Sequence, residues 1–189
     1  MTESDSSYFE YLKTRSRLAA GYRRCMLYPR LARRLRGRTL DIGCGIGDML
    51  AHRAQTVGVD INPQTVAYCR SIGLDAHIMR IDQLPFDSMT FESALMDNVI
   101  EHIAEPRPLL AETRRVLVSG GRLLIGVPGR RGWDSDPDHK VFYDEPSLRA
   151  AVEPNGFEHM ETFAAPLVRS QWLAERLRQY CVYALFART

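Results

Sequence analysis

The segment DIGCGIGD, residues 41–48, combines two chemical capabilities. Glycines 43, 45 and 47 let the backbone turn sharply and let a ligand approach bare main chain. Asp41 ends the apolar run that precedes them, and nineteen residues further on Asp60 ends the next run. An acidic side chain at that second position can accept hydrogen bonds from both hydroxyls of a ribose. Together the features describe a nucleoside-cofactor site. The loop reads GxGxG, not the GxGxxG of a dinucleotide site, and a carboxylate at Asp41 would repel a pyrophosphate while suiting an ammonium group. S-Adenosylmethionine (SAM) carries that ammonium together with a sulfonium and a ribose, so the pattern favours SAM over NAD.

A second concentration of reactive side chains lies in residues 129–143, where Trp133, Asp134, Asp136, Asp138, His139, Lys140 and Tyr143 stand close together. His139 is the candidate general base, because an imidazole is near neutral at working pH. The alternative is that it caps the following helix or packs on Tyr143. His102 is the second candidate, against simple packing beneath the cofactor. Trp133, Lys140 and Tyr143 are candidate acceptor contacts. The three aspartates could hold a divalent cation, but their spacing around Pro137 reads better as a solvated turn, so no metal site is expected.

These residues need positioning elements. Short apolar runs at Thr39–Ile42, Thr56–Asp60, Ala76–Met79, Phe91–Met96 and Arg122–Val127 alternate with helical segments over Ile46–Arg53, Pro63–Ile72 and Arg107–Leu117. That alternation predicts an α/β fold with a mostly parallel sheet covered on both faces. Ser119-Gly120-Gly121 is expected to cap a helix and turn the chain. A helix over Glu145–Val152, a strand near Phe157–Phe163, a helical stretch Gln171–Tyr180 and a last run Val182–Ala187 complete the pattern. Residues 7–36 read as helical up to breakers at Gly21 and Pro29, which divides the chain into a helical extension at 1–36 and a cofactor-binding domain at 37–189. The extension is placed over the cofactor as a lid, with Tyr8, Tyr11, Arg15 and Tyr22 closing the site and Arg15 meeting the SAM carboxylate.

The ordered motifs resemble those of the class I SAM-dependent methyltransferases, of the small single-domain kind called type 11, over about residues 38–160. DIGCGIGD resembles motif I and GVDIN (58–62) the ribose-binding segment. IDQLPFDSMTFES (81–93) is similar to the stretch that brackets the adenine, DNVIEHI (97–103) to the motif beside the methyl group, and RRVLVSGGRLLIGVP (114–128) to the helix-turn-strand that follows. The resemblance implies a Rossmann-like, doubly wound, seven-stranded sheet with an antiparallel last strand. It implies that Asp41, Gly43, Cys44 and Gly45 line the methionine moiety, with Asp60 and Ile61 at the ribose. Asp82 would accept from the adenine amino group with Gln83 and Leu84 beside the ring, and Asp97 and Asn98 would lie near the sulfonium.

The 189 residues, 45% hydrophobic and 25% charged, suit one globular domain with a real core. Four scattered cysteines form neither a disulfide framework nor a zinc pattern, and no apolar run approaches a membrane span. A cytoplasmic location is the expectation. The net charge of +2 hides a gradient, with an excess of seven cations within residues 1–40. That excess reads as a solvated helix face sooner than as a nucleic-acid or membrane contact. No Pro-Cys nucleophile and no Asn/Asp-Pro-Pro motif is present, which argues against base methylation. The expected activity is SAM-dependent O-methylation of a small molecule, with a carbohydrate hydroxyl as leading acceptor on the polar aromatic loop and family analogy. A lipid-like or aromatic acceptor, or a SAM-binding partner subunit with little activity, is the alternative. The chain is expected to be a monomer or homodimer.

Overall fold

The computed structural model describes residues 17–166 and 168–189. Tyr8, Tyr11 and Arg15 therefore lie outside the described residues. Seven strands form one sheet: β1 (Thr39–Ile42), β2 (Thr56–Asp60), β3 (Ala76–Ile78), β4 (Phe91–Asp97), β5 (Leu117–Pro128), β6 (Phe157–Ala165) and β7 (Cys181–Arg188). Their order across the sheet is β3-β2-β1-β4-β5-β7-β6. Only β7 runs antiparallel to its neighbours, as the sequence predicts. From β1 the chain steps outward through β2 and β3, then returns to place β4 on the other side of β1. The crevice above the carboxyl ends of β1 and β4 is thus the topological switch point, where open α/β sheets bind ligands.

Alternation along the strands divides the core. Ala94, Met96, Leu123, Ile125, Ala184 and Phe186 face one layer, which also buries Leu109 and Leu110 of α5 (Arg107–Val116) and Leu148 of α7 (Glu145–Val152). Leu95, Leu124, Tyr183 and Leu185 face the other, against Leu27, Tyr28, Leu31 and Leu35. Each large apolar side chain so enclosed contributes about 1.5–3 kcal/mol. The first three of those last four residues lie in a helical stretch, α1 (Arg17–Tyr22), a π-helical turn at Arg23–Leu27 and α2 (Tyr28–Ala32), and Leu35 follows it in the link to β1. The π-turn has a local cause. Pro29 has no N–H to give the carbonyl four residues back, and the Tyr28 amide reaches instead to the Arg23 carbonyl, five residues back. This part of the N-terminal extension is a layer of the fold, packed on the sheet.

Elements α3 (Asp48–His52) and α4 (Pro63–Ser71) follow β1 and β2, and α6 (Arg130–Trp133) and α8 (Gln171–Arg176) flank the far end of the crevice. One expectation about a turn is corrected. The segment Ser119–Gly121 does not close a helical cap: α5 ends at Val116, Leu117 is already extended, and the chain enters β5 directly. Gly120, with φ of 69°, belongs to an irregular stretch where the pairing with β4 jumps from Phe91–Leu117 to Ser93–Arg122. The glycine permits a bulge where the expectation had a cap.

Candidate functional site

The glycine loop leaves β1 with its main chain fixed by β2. The amides of Gly43 and Cys44 donate to the Val59 carbonyl at 2.8 and 3.0 Å, and the Gly45 amide donates to Asp60 Oδ2 at 2.8 Å. Asp60 Oδ1 takes the Asn62 amide at 2.8 Å. Asp60 is therefore the clasp of the loop. Burial pushes its carboxyl up, while these amides pull the other way. Gly43 has φ of 74°, and a Cβ built there would lie 2.5 Å from Val99 Cγ2. Only glycine fits against the residue that follows Asn98. Cys44 packs its sulfur over Gly58, where a Cβ would come within 2.6 Å of it.

Asp41 ends β1 beside this loop and is almost wholly buried. No hydrogen bond reaches its carboxylate among the described residues. Burial first, then the nearby Asp97 and Asp60, push its carboxyl well above the usual range. A buried carboxylate in this state is stabilised by an incoming cation, and the ammonium of an amino acid supplies one. The bare loop and this buried acid fit the methionine end of SAM.

Asp97, at the end of β4, is the opposite case. Arg23 Nη2 donates to Oδ2 at 3.0 Å, and Tyr183 Oη and Asn98 Nδ2 donate to Oδ1 at 2.8 and 3.1 Å. Arg23 Nε also donates to Tyr28 Oη at 2.7 Å, and Tyr28 Oη donates to Asp48 Oδ2 at 3.3 Å. A polar chain thus runs from Asp48 through Tyr28, Arg23 and Asp97 to Tyr183, along a cleft of about 470 Å³ that all five residues line. The π-turn separates Arg23 from Tyr28 by five residues, one π-helical turn, so both side chains share the face turned to the cleft. Asn98 adopts φ of 58°, a left-handed conformation uncommon outside glycine and held here by its surroundings.

The other wall of the cleft comes from residues 129–143. The amides of Lys140 and Val141 donate to the Glu101 carbonyl at 2.7 and 3.1 Å, tying this loop to the turn Ile100–His102. A capping box between Asp144 and Ser147 fixes its far end on α7. His139 then stacks on Trp133, with ring centroids 4.8 Å apart and 15° between planes, and lies 4.7 Å from the His102 ring. Its Nδ1 is 2.9 Å from the Trp133 carbonyl, which can only accept, so Nδ1 carries a proton and Nε2 is the ring nitrogen left for other chemistry. Burial and the neighbouring His139 lower the His102 imidazole, which favours its neutral form. Glu101 lies behind the pair, 0% exposed, with both carboxylate oxygens lacking a hydrogen-bond partner among the described residues. Burial pushes its carboxyl up to about 8.

The remaining expected site residues have these surroundings. The Leu84 side chain is buried in the main core, and its amide donates to Glu112 Oε2 at 2.8 Å. Tyr143 is likewise core, packed with Leu148 and Val152. Asp82 is exposed and paired with Arg80 at 3.1 Å, while Gln83 forms a two-hydrogen-bond bridge with Arg80. Lys140 is exposed, and Ile61, 58% exposed, stands beyond Asp60 with an apolar surface free for a ring. Asp134 pairs with Arg130 at 3.3 Å and Asp136 accepts the Asp138 amide at 2.9 Å, the solvated-turn arrangement. Sequence reading missed Arg23, Tyr28, Asp48, Tyr183 and Glu101. An acid set between Ile100 and His102 in an otherwise apolar turn was the available signal for the last.

Residues 40–125 match the family model described as a methyltransferase domain. A "Probable S-adenosylmethionine-dependent methyltransferase" of Mycolicibacterium smegmatis is 31% identical over 150 residues, 72% of this chain and 58% of that protein. A ubiquinone biosynthesis O-methyltransferase of Xanthomonas oryzae pv. oryzae is 24% identical over 147 residues, covering 72% of this chain and 60% of its own length. The chain spans about 40–60% of the length of the curated relatives it matches. Among solved structures, a SAM-dependent methyltransferase of Thermotoga maritima superposes with a TM-score of 0.78 at 19% identity, covering 98% of both chains. Among the described residues, no helix is long and apolar enough to cross a membrane.

Proposed function

We propose that this chain, which belongs to the class I SAM-dependent methyltransferases, methylates a hydroxyl oxygen of a small-molecule acceptor, with a carbohydrate as the leading class. One observation carries the reading. A single cleft has the bare glycine loop and Asp41, which accepts no hydrogen bond among the described residues, on one side, and on the other His139, stacked on Trp133 behind it.

When bound, SAM supplies a methyl group made electrophilic by its sulfonium. Asp41 and the loop hold the methionine end, Asp60 keeps the loop closed, and Ile61 offers its side chain to the adenosine. Asp97, fixed by three donors, keeps the floor of the cleft rigid between the two binding regions. A hydroxyl is a poor nucleophile until its proton leaves, so His139 Nε2 accepts that proton as the new O–C bond forms and the C–S bond breaks. Trp133, stacked on His139, fixes the imidazole that faces the acceptor, and positioning of this kind provides much of the acceleration in an in-line displacement.

The likeness to a ubiquinone biosynthesis O-methyltransferase favours a second acceptor class, a phenolic or lipid-like metabolite. Calorimetric titration with SAM and NAD, on the wild type and on Asp60→Ala, tests the cofactor. Micromolar SAM binding that Asp60→Ala weakens at least tenfold is expected, and binding of NAD alone would overturn the assignment. Radiolabelled methyl transfer to panels of sugars and phenols then separates the acceptors. His139→Ala is expected to reduce turnover about 10²–10⁴-fold with SAM affinity intact.

A further inference from the structure

Glu101, His102 and His139 meet at the acceptor side of the cleft in an arrangement that a proton acceptor alone does not require. One carboxylate oxygen and one nitrogen from each imidazole lie within 4.8 Å of one another. An ion bound at about 2.0–2.6 Å to each ligand holds those ligands roughly 3–5 Å apart. Among the described residues both Glu101 oxygens are buried without a hydrogen-bond partner, which is unfavourable for a carboxylate unless a proton or a cation joins it. His139 has its Nδ1–H committed to the Trp133 carbonyl, the outer hydrogen bond that orients a metal-binding imidazole and aims Nε2 at the ion.

We propose that Glu101, His102 and His139 form a binding site for one divalent first-row transition-metal ion, such as Zn²⁺ or Mn²⁺, beside the acceptor. Two imidazoles among three ligands select such ions over Mg²⁺ and Ca²⁺, which take oxygen ligands. His102 and His139 line the cleft whereas Glu101 lies behind them, so the open coordination positions face the acceptor. Asp136, with Oδ2 at 4.0 Å from His139 Nε2, adds negative charge at the same opening. The ion's chemical role rests on the O-methylation reading above. It would bind the acceptor hydroxyl and make its proton more acidic, the proton passing to water as the O–C bond forms and the sulfur keeps the electron pair of the broken C–S bond. His139 is then a ligand in the loaded protein and a base only in its metal-free form.

The test is titration of the chelator-treated protein with Co²⁺, followed by its visible d–d absorption, and with Zn²⁺ by calorimetry. One equivalent of each ion is expected to bind, with Mg²⁺ failing to compete at a hundredfold excess. Glu101→Gln, which keeps the shape, is expected to weaken Co²⁺ binding at least tenfold while leaving SAM affinity unchanged. His102→Asn provides a second ligand variant should the first fold poorly. Binding of less than one equivalent, or equal Co²⁺ affinity in wild type and both variants, would overturn the site. Methyl transfer that continues undiminished in chelator with no ion bound overturns the metal and leaves the O-methylation reading standing. Stoichiometric, Glu101-dependent Co²⁺ binding without transfer to any hydroxyl supports the site and removes that reading instead.

Discussion

Asp41 and Asp97 lie at the carboxyl ends of adjacent parallel strands, yet their surroundings differ in kind. Asp97 accepts from Arg23, Tyr183 and Asn98, so its charge is balanced within the protein. Asp41 is just as enclosed and receives no hydrogen bond among the described residues. The two carboxylates divide the labour of a binding cleft. One is a structural node whose partners tie the N-terminal helical layer to β4 and β7, and the other is held ready for a cation from outside. The lesson is that burial alone does not distinguish a scaffold acid from a ligand-binding acid, whereas the count of donors does.

Removing the balanced acid should do the most damage. Asp97→Ala leaves the buried Tyr183 and the half-buried Arg23 without this acceptor, and loss of one member of a fully buried pair costs about 3–5 kcal/mol, so a loss toward the low end is expected. Urea unfolding of the SAM-free protein is expected to show that loss. A cost below about 1 kcal/mol would erase the contrast with Asp41.

Asp41→Asn should act in the opposite direction on stability. Because burial and its acidic neighbours raise the Asp41 carboxyl, the native protein retains a proton there after the unfolded chain has released its own. Stability from this group is therefore full below the unfolded carboxylate range and falls as pH rises, until the native group also ionises. Asparagine has no such penalty, and thermal melts above pH 7 should show the variant more stable by about 1–2 kcal/mol, the scale of an unsatisfied buried polar group. A pH titration of the melting temperature should lose the corresponding slope. SAM affinity should fall by about tenfold to a hundredfold in the same protein, since the ammonium loses its counter-charge. Equal loss of both stability and affinity would make Asp41 a second scaffold acid.

How far the sequence revealed this cleft follows the same division. The half built from β1, the glycine loop and β2 was legible because strand, loop and acid lie within 22 residues, and the bounds of β1 and β2 agree with the apolar runs residue for residue. The network around Asp97 was not, because its contacts join residues 74 and 86 positions apart. It also depends on a π-turn, whose five-residue offset no 3.6-residue periodicity reveals. Leu84 and Tyr143 sit next to polar motif residues, and adjacency in sequence hid that their side chains turn into the core. Glu101 carried too little local signal for a role to be read. Its isolation becomes visible only once His102 and His139, 37 residues apart, are brought together.

The smallest effect tests whether the Asp97 node is shared or rests on one contact. Tyr183→Phe removes a single donor, at 2.8 Å from Oδ1, and leaves Arg23 on Oδ2 and Asn98 on Oδ1. The ring itself stays stacked on Phe163, with centroids 5.2 Å apart. No cavity forms and Asp97 keeps two partners, so the cost should be that of one hydrogen bond to a charged group, about 1.5–3 kcal/mol, and toward the low end because Asn98 shares the oxygen. Unfolding measurements on Tyr183→Phe and Arg23→Gln, with the double variant closing the cycle, would apportion the node. If the two single losses add without coupling, the donors act on Asp97 independently. A coupling of 0.5 kcal/mol or more would mean that Arg23 and Tyr183 hold it as one unit, joining the helical layer to the sheet through a single carboxylate.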